Sequence, residues 1–141
     1  MEEIGVKIGV NREIGVNIYL KGQKMESEHE IQVSIHQWVI RNRGKYPELW
    51  NFYAVPNGGL RNIGVARKLK LEGVQKGVLD MAVDYPTKTQ KNGLKIELKK
   101  KGGVTTKEQK EWIQRLLNAN FEAVVIRSLE EFIKLIEKSY G

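Results

Sequence analysis

The sequence contains no cysteine. Disulfides and cysteine-based zinc sites are therefore excluded, and a thiol-free chain suits a reducing compartment. Histidine is scarce as well: His29 and His36 lack a spacing useful for sharing a metal and read as ordinary helix residues. No apolar run approaches the roughly 20 residues that a membrane span needs. The first residues, Met1-Glu2-Glu3, lack the basic-then-apolar order of a secretory signal. A soluble, cytoplasmic protein with no membrane partner is the expectation. Acidic residues are in deficit, 17 against 24 basic, for a net charge of +7. Such an excess favours polyanions, either nucleic acid or an anionic membrane surface.

What is present suits one domain. A chain of 141 residues buries about two-thirds of its unfolded surface, enough for a core without staples. Residues 1–24 stand apart. Ile4-Gly5-Val6, Ile8-Gly9-Val10 and Ile14-Gly15-Val16 form an imperfect repeat whose β-branched residues suggest strands that the glycines weaken. They read as an appendage (a hairpin, a dimer arm or a tail), leaving 25–141 as the domain proper. Ser27 and Glu30 have capping-box spacing ahead of Ile31, Ile35, Trp38 and Val39, which predicts a helix ending at 42–44. Trp50 to Val55 reads as a strand, 56–59 as a loop and 62–72 as a basic helix stopped by Gly73. Strands are expected over 78–84 and 94–99. A helix over about 106–119 follows, its capping box formed by Thr105 and Glu108. Phe121 to Arg127 lacks alternation, as in a strand buried on both faces, and Ser128 begins a last helix to about Lys138. The order αβαββαβα predicts an α/β fold, a mixed sheet flanked by helices. Trp38, Trp50, Phe52 and Trp112 are expected in the core.

Chemistry concentrates in Leu79-Asp80 and Ile96-Glu97-Leu98-Lys99. The period of two puts Leu94, Ile96 and Leu98 on one face of their strand and Lys95, Glu97 and Lys99 on the other. Glu-X-Lys triplets on a solvated strand face are common. An aspartate beside Met81-Ala82-Val83 is harder to dismiss, because an acid in an apolar strand carries a desolvation cost. Carboxylates from two adjacent strands can hold one Mg2+ or Mn2+, which polarises a phosphate and activates water, with a lysine nearby to orient or deprotonate that water. Gln109 heads the core-facing stripe of Trp112, Ile113, Leu116 and Leu117. It either satisfies a backbone group or reaches the activated water or a phosphate. Glu28 shares a face with Ile31, Gln32 and Ile35. It serves either as a third carboxylate, direct or through water, or as compensation for the helix dipole.

Five blocks occur in one order: Glu28-X-X-Ile31-Gln32, Val55-Pro56-Asn57-Gly58-Gly59-X-Arg61, Gly73-Val74-X-X-Gly77-Val78-Leu79-Asp80, Gly93-Leu94-X-Ile96-Glu97-Leu98-Lys99 and Gln109. Over Ser27 to Tyr140 the chain resembles the VRR-NUC family (virus-type replication-repair nuclease) of the PD-(D/E)xK superfamily, in its stand-alone, phage-type form. The resemblance implies a restriction-endonuclease-like fold and a Mg2+- or Mn2+-dependent nuclease. It assigns the metal to Asp80 and Glu97 with the Leu98 carbonyl, the catalytic lysine to Lys99 and supporting roles to Glu28 and Gln109. The superfamily's proline before the aspartate is Leu79 here, a residue that shapes the strand entry without ligating.

Phosphate contacts are expected from Arg61, Arg67, Lys68, Lys70, Lys76, Lys100 and Lys101, and from the backbone of Asn57, Gly58 and Gly59. The expected activity is endonucleolytic cleavage of flapped or branched DNA, a Holliday-junction resolvase in its sharpest form. A homodimer would match the symmetry of a four-way junction. A restriction-type or nicking enzyme on duplex, and an inert DNA-binding module, are the competing expectations.

Overall fold

The computed structural model describes residues 25–56 and 62–141. The appendage expected over 1–24, and Asn57, Gly58, Gly59 and Arg61, lie outside the described residues.

Helix α1 (Glu28–Asn42) begins where the sequence marks it. Ser27 Oγ accepts from the Glu30 N–H at 3.1 Å, and Glu30 Oε1 accepts from the Ser27 N–H at 2.9 Å. Ile31, Ile35 and Val39 form its buried stripe. The strand expected over Trp50 to Val55 is shorter. Pro47, pre-set for a helical turn, opens a 3-10 segment (Pro47–Asn51) that buries Leu49, and β1 is only Phe52–Ala54. Trp50 therefore lies outside the core, 67% exposed, with the Arg43 guanidinium 4.2 Å from its ring. Trp38 and Phe52 pack on the core as expected. Helix α2 (Ile63–Leu71) is capped by Asn62 and stops at Gly73, whose φ of +100° suits glycine.

Strands β2 (Met81–Val83) and β3 (Leu94–Leu98) pair antiparallel. Helix α3 (Lys107–Asn118) carries the chain over to β4 (Glu122–Ile126), which lies parallel to β3. Helix α4 (Leu129–Tyr140) closes the fold, with Ser128 as its cap. The sheet order is β1-β2-β3-β4, with only the last pair parallel. Leu94, Ile96 and Leu98 point with Met81 and Val83 into a core built from α1 and α4 around Phe132 and Ile136. The opposite face carries Lys95, Glu97 and α3. β4 is an edge strand among the described residues. Only Ala123 and Ile126 are buried in it and the rest are half-buried, a correction to the expectation of burial on both faces.

The capping box of α3 sits one residue later than its sequence spacing suggests. Thr106, not Thr105, is the cap, and Gln109, not Glu108, is its reciprocal partner. Both frames satisfy the same spacing, and in the later one Gln109 caps the helix and also reaches Glu97.

Gly77 fixes the approach to the site. Its φ is +86°, and an added Cβ would stand 2.6 Å from Glu108 Cβ and 2.8 Å from the Glu108 carbonyl carbon. The loop entering Asp80 is thereby pressed on the first turn of α3. Gly77→Ala adds left-handed backbone strain to a clash with backbone atoms and is expected to cost about 1–3 kcal/mol. The urea midpoint of unfolding checks this. An unchanged midpoint would mean that the loop yields freely.

Candidate active site

The register brings the two acids together. Met81 pairs with Ile96, so one step further along the antiparallel ladder sets Asp80 opposite Glu97. Side chains so opposed emerge on one face with Cβ atoms about 5 Å apart. Asp80 stands just before β2 rather than within a strand over 78–84. There its Oδ2 accepts the Leu98 N–H at 2.8 Å, and its carbonyl accepts the Val55 N–H at 2.7 Å. The Leu98 N–H points at Asp80, and its carbonyl points to the same edge of β3, as the two groups of one strand residue do.

Glu97 is 2% exposed. Its Oε2 accepts from Gln109 Nε2 at 2.7 Å and lies 3.5 Å from the Lys99 ammonium. Its Oε1 is buried with no hydrogen-bond donor. Burial, the Asp80 charge beside it and a hydrogen-bonding contact with Asp80 push the Glu97 carboxyl up from 4.5 to about 8, against the opposing pull of Lys99. A buried carboxylate oxygen without a donor, on a residue paired with a second acid, suits a cation or a proton. Two hard oxygen donors plus a backbone carbonyl fit Mg2+ or Mn2+.

Gln109 takes the first of the roles that its sequence position left open, satisfying a backbone group, and adds a contact with Glu97. Its Oε1 accepts the Thr106 N–H at 2.9 Å as part of the helix cap, and its Nε2 holds Glu97. Lys99 is largely enclosed, its side chain 12% exposed, and its ammonium faces Glu97. Glu28 corrects an expectation. It is exposed rather than inward-facing, because the buried stripe of α1 begins at Ile31. Its Oε2 lies 3.4 Å from the Lys100 N–H, a long contact at the end of β3. Among the described residues no three His, Asp or Glu side chains are grouped so as to hold a metal ion together.

The basic residues expected to contact phosphate lie on the surface where they are described. Arg67, Lys68, Lys70, Lys100 and Lys101 are exposed, and Lys76 lies 3.8 Å from Glu108 on the surface. Two positioning groups escape the sequence patterns. Arg127 Nη1 donates to the Lys100 and Gly103 carbonyls at 3.0 and 2.8 Å, clamping the turn after Lys99. Trp112 Nε1 donates to the Lys76 carbonyl at 3.1 Å, tying α3 to the loop before Asp80. A basic residue at a strand end and a half-buried tryptophan carry no signal of such partners.

A solved structure described as a VRR_NUC domain protein matches with a TM-score of 0.69 at 30% identity, over 82% of this chain and 89% of that one. The chain belongs to the VRR-NUC family. Its four-stranded mixed sheet flanked by helices is restriction-endonuclease-like, and the VRR-NUC domain is a nuclease fold of the PD-(D/E)xK type. No family model and no curated protein matches the chain. No helix among the described residues is long and apolar enough to cross a membrane.

The raised Glu97 pKa fixes a pH dependence for the metal-free protein. The folded state holds a proton that the unfolded state releases near 4.5, so this contribution is full below 4.5 and fades as pH rises through about 8. In chelator-containing buffer, unfolding free energy should fall across that window by up to about 1.4 kcal/mol per pH unit relative to Glu97→Gln. Parallel curves for the two proteins would contradict this electrostatic picture.

Proposed function

We propose that this VRR-NUC protein is a Mg2+- or Mn2+-dependent endodeoxyribonuclease acting on branched or otherwise structured DNA. A four-way junction is its sharpest candidate substrate, cut by a homodimer in a phage replication or repair setting. The observation that carries the catalytic part is the donor-less Glu97 Oε1 buried opposite Asp80 with the Lys99 ammonium 3.5 Å from the other oxygen.

Asp80, Glu97 and the Leu98 carbonyl would hold the ion. When bound, the ion supplies Lewis acidity, polarising the scissile phosphate and lowering the pKa of water. Gln109 fixes Glu97 Oε2 through a donor that cannot titrate, which leaves Oε1 as the oxygen without a donor. Lys99 Nζ orients the attacking water and carries positive charge next to the phosphate as negative charge builds there. Glu28 supports the end of β3 through Lys100 rather than from within the donor set. Phosphates beyond the scissile one meet Arg67, Lys68, Lys70, Lys76, Lys100 and Lys101, together with Arg61 and the Asn57-Gly58-Gly59 backbone. These contacts position DNA without reading bases, which favours recognition of shape over sequence.

Asp80→Asn retains an acceptor for the Leu98 N–H and should keep the fold. It should lower cleavage more than about a hundredfold, beyond what loss of an outer-sphere metal contact costs. Labelled junction, flap, single-stranded and continuous duplex DNA, incubated with Mg2+ or Mn2+, give the readout. Full activity of Asp80→Asn would remove the metal site. Equal cutting of duplex and junction would favour a duplex-acting enzyme, and binding without cutting an inert module.

A further inference from the structure

Helix α2 buries no side chain, yet it is a capped, nine-residue helix. Ile63 and Leu71 are 74% and 84% exposed. With Arg67 between them they fall at i, i+4 and i+8, a single outer stripe at 100° per residue. Lys70 flanks that stripe on one side and Lys68 on the other. The opposite side of the helix, Ala66 and Leu69, faces Val74 and Gly77 across a cleft of about 550 Å3. Val65, 44% exposed, lies off this stripe, so what sets the outer side apart is the arginine that Ile63 and Leu71 bracket.

The chain on either side of the helix is anchored near the catalytic centre. Before it, the Val55 N–H donates to the Asp80 carbonyl. After it, Gly77 abuts Glu108, three residues ahead of Asp80. Asn62 lies seven residues beyond Val55 and Leu71 nine before Asp80. Even extended chain holds these helix ends within about 25 and 32 Å of their anchors. Both distances are less than the roughly 34 Å of one duplex turn.

We infer that the outer stripe of α2 recognises the break in stacking at a DNA branch, Ile63 and Leu71 covering bases laid bare there while Arg67, Lys68 and Lys70 hold the flanking phosphates. This deepens the nuclease assignment and rests on it. An uninterrupted duplex presents charged phosphates and sugars, from which two aliphatic side chains gain little. Apolar base faces become available where stacking stops, and aliphatic wedges seated between base steps exploit that surface. Charge selects the partner class. No acidic residue occurs within Ile63–Leu71, and three cations do, so a second copy of the same face would meet like charge.

The test uses the full chain with Asp80→Asn to suppress cutting and compares Ile63→Ser/Leu71→Ser with Ile63→Met/Leu71→Met. Affinities are measured for a four-way junction and a continuous duplex of equal length, with 2-aminopurine at the branch reporting unstacking. The serine pair should lose about tenfold in junction affinity and the 2-aminopurine signal, with duplex affinity changed less than about twofold, whereas the methionine pair should keep the preference. Undiminished junction preference in the serine pair overturns the wedge but leaves the nuclease assignment standing. Equal affinity of the parent for both DNAs removes structure specificity and the wedge with it. Equal losses on both DNAs, a serine-dependent loss of self-association, or parallel loss of binding to phosphatidylserine vesicles would each assign the stripe elsewhere and overturn the inference.

Discussion

Two acids held face to face across neighbouring strands can both be ionised only when positive charge lies between them. The pairing of Asp80 with Glu97 imposes that condition on this fold. The surrounding groups hold the pair in place without relieving it. The Leu98 N–H turns Asp80 toward its neighbour, and Gln109 occupies one oxygen of Glu97. The second oxygen is left buried and without a donor. Lys99 offsets part of the charge but not enough to bring the Glu97 carboxyl back to its ordinary range. In stability terms burying the acid pair is costly, and a hard cation bound between the two acids would offset that cost.

The rest of the fold serves the alignment. A core between the sheet and helices α1 and α4 fixes β3, so Leu94, Ile96 and Leu98 cannot turn outward and Glu97 cannot turn inward. Helix α3, on the other face, delivers Gln109 from its first turn. Gly77 presses the Asp80 loop on that same turn, and Trp112 ties it through the Lys76 carbonyl. The two halves of the acid pair are therefore positioned by one helix end.

Much of this was legible in the sequence because it rests on periodicity. The period of two separates Glu97 and Lys99 from their apolar neighbours, and the apolar flank of Asp80 marks it as costly to bury. The order of elements and the crossover to a parallel β4 follow from the same patterns and from connection rules. The misses involve choices between equivalent local patterns or tertiary geometry. Thr105/Glu108 and Thr106/Gln109 have identical cap spacing, and only the true frame gives Gln109 its two partners. Glu28 shares a helical face with Ile31 but lies one turn before burial begins. Trp50 looks like core by composition, yet Pro47 starts a tight turn that carries it outward to Arg43. Arg127 gives no local hint that it clamps backbone carbonyls 24 and 27 residues away.

The central claim is that one divalent ion sits between Asp80 and Glu97. Anomalous diffraction from crystals grown with Mn2+ addresses it without relying on cleavage. The account predicts a single strong peak within bonding distance of the Asp80 carboxylate, of Glu97 Oε1 and of the Leu98 carbonyl. No peak between the two acids at saturating Mn2+, or a peak held only by surface carboxylates, would contradict it.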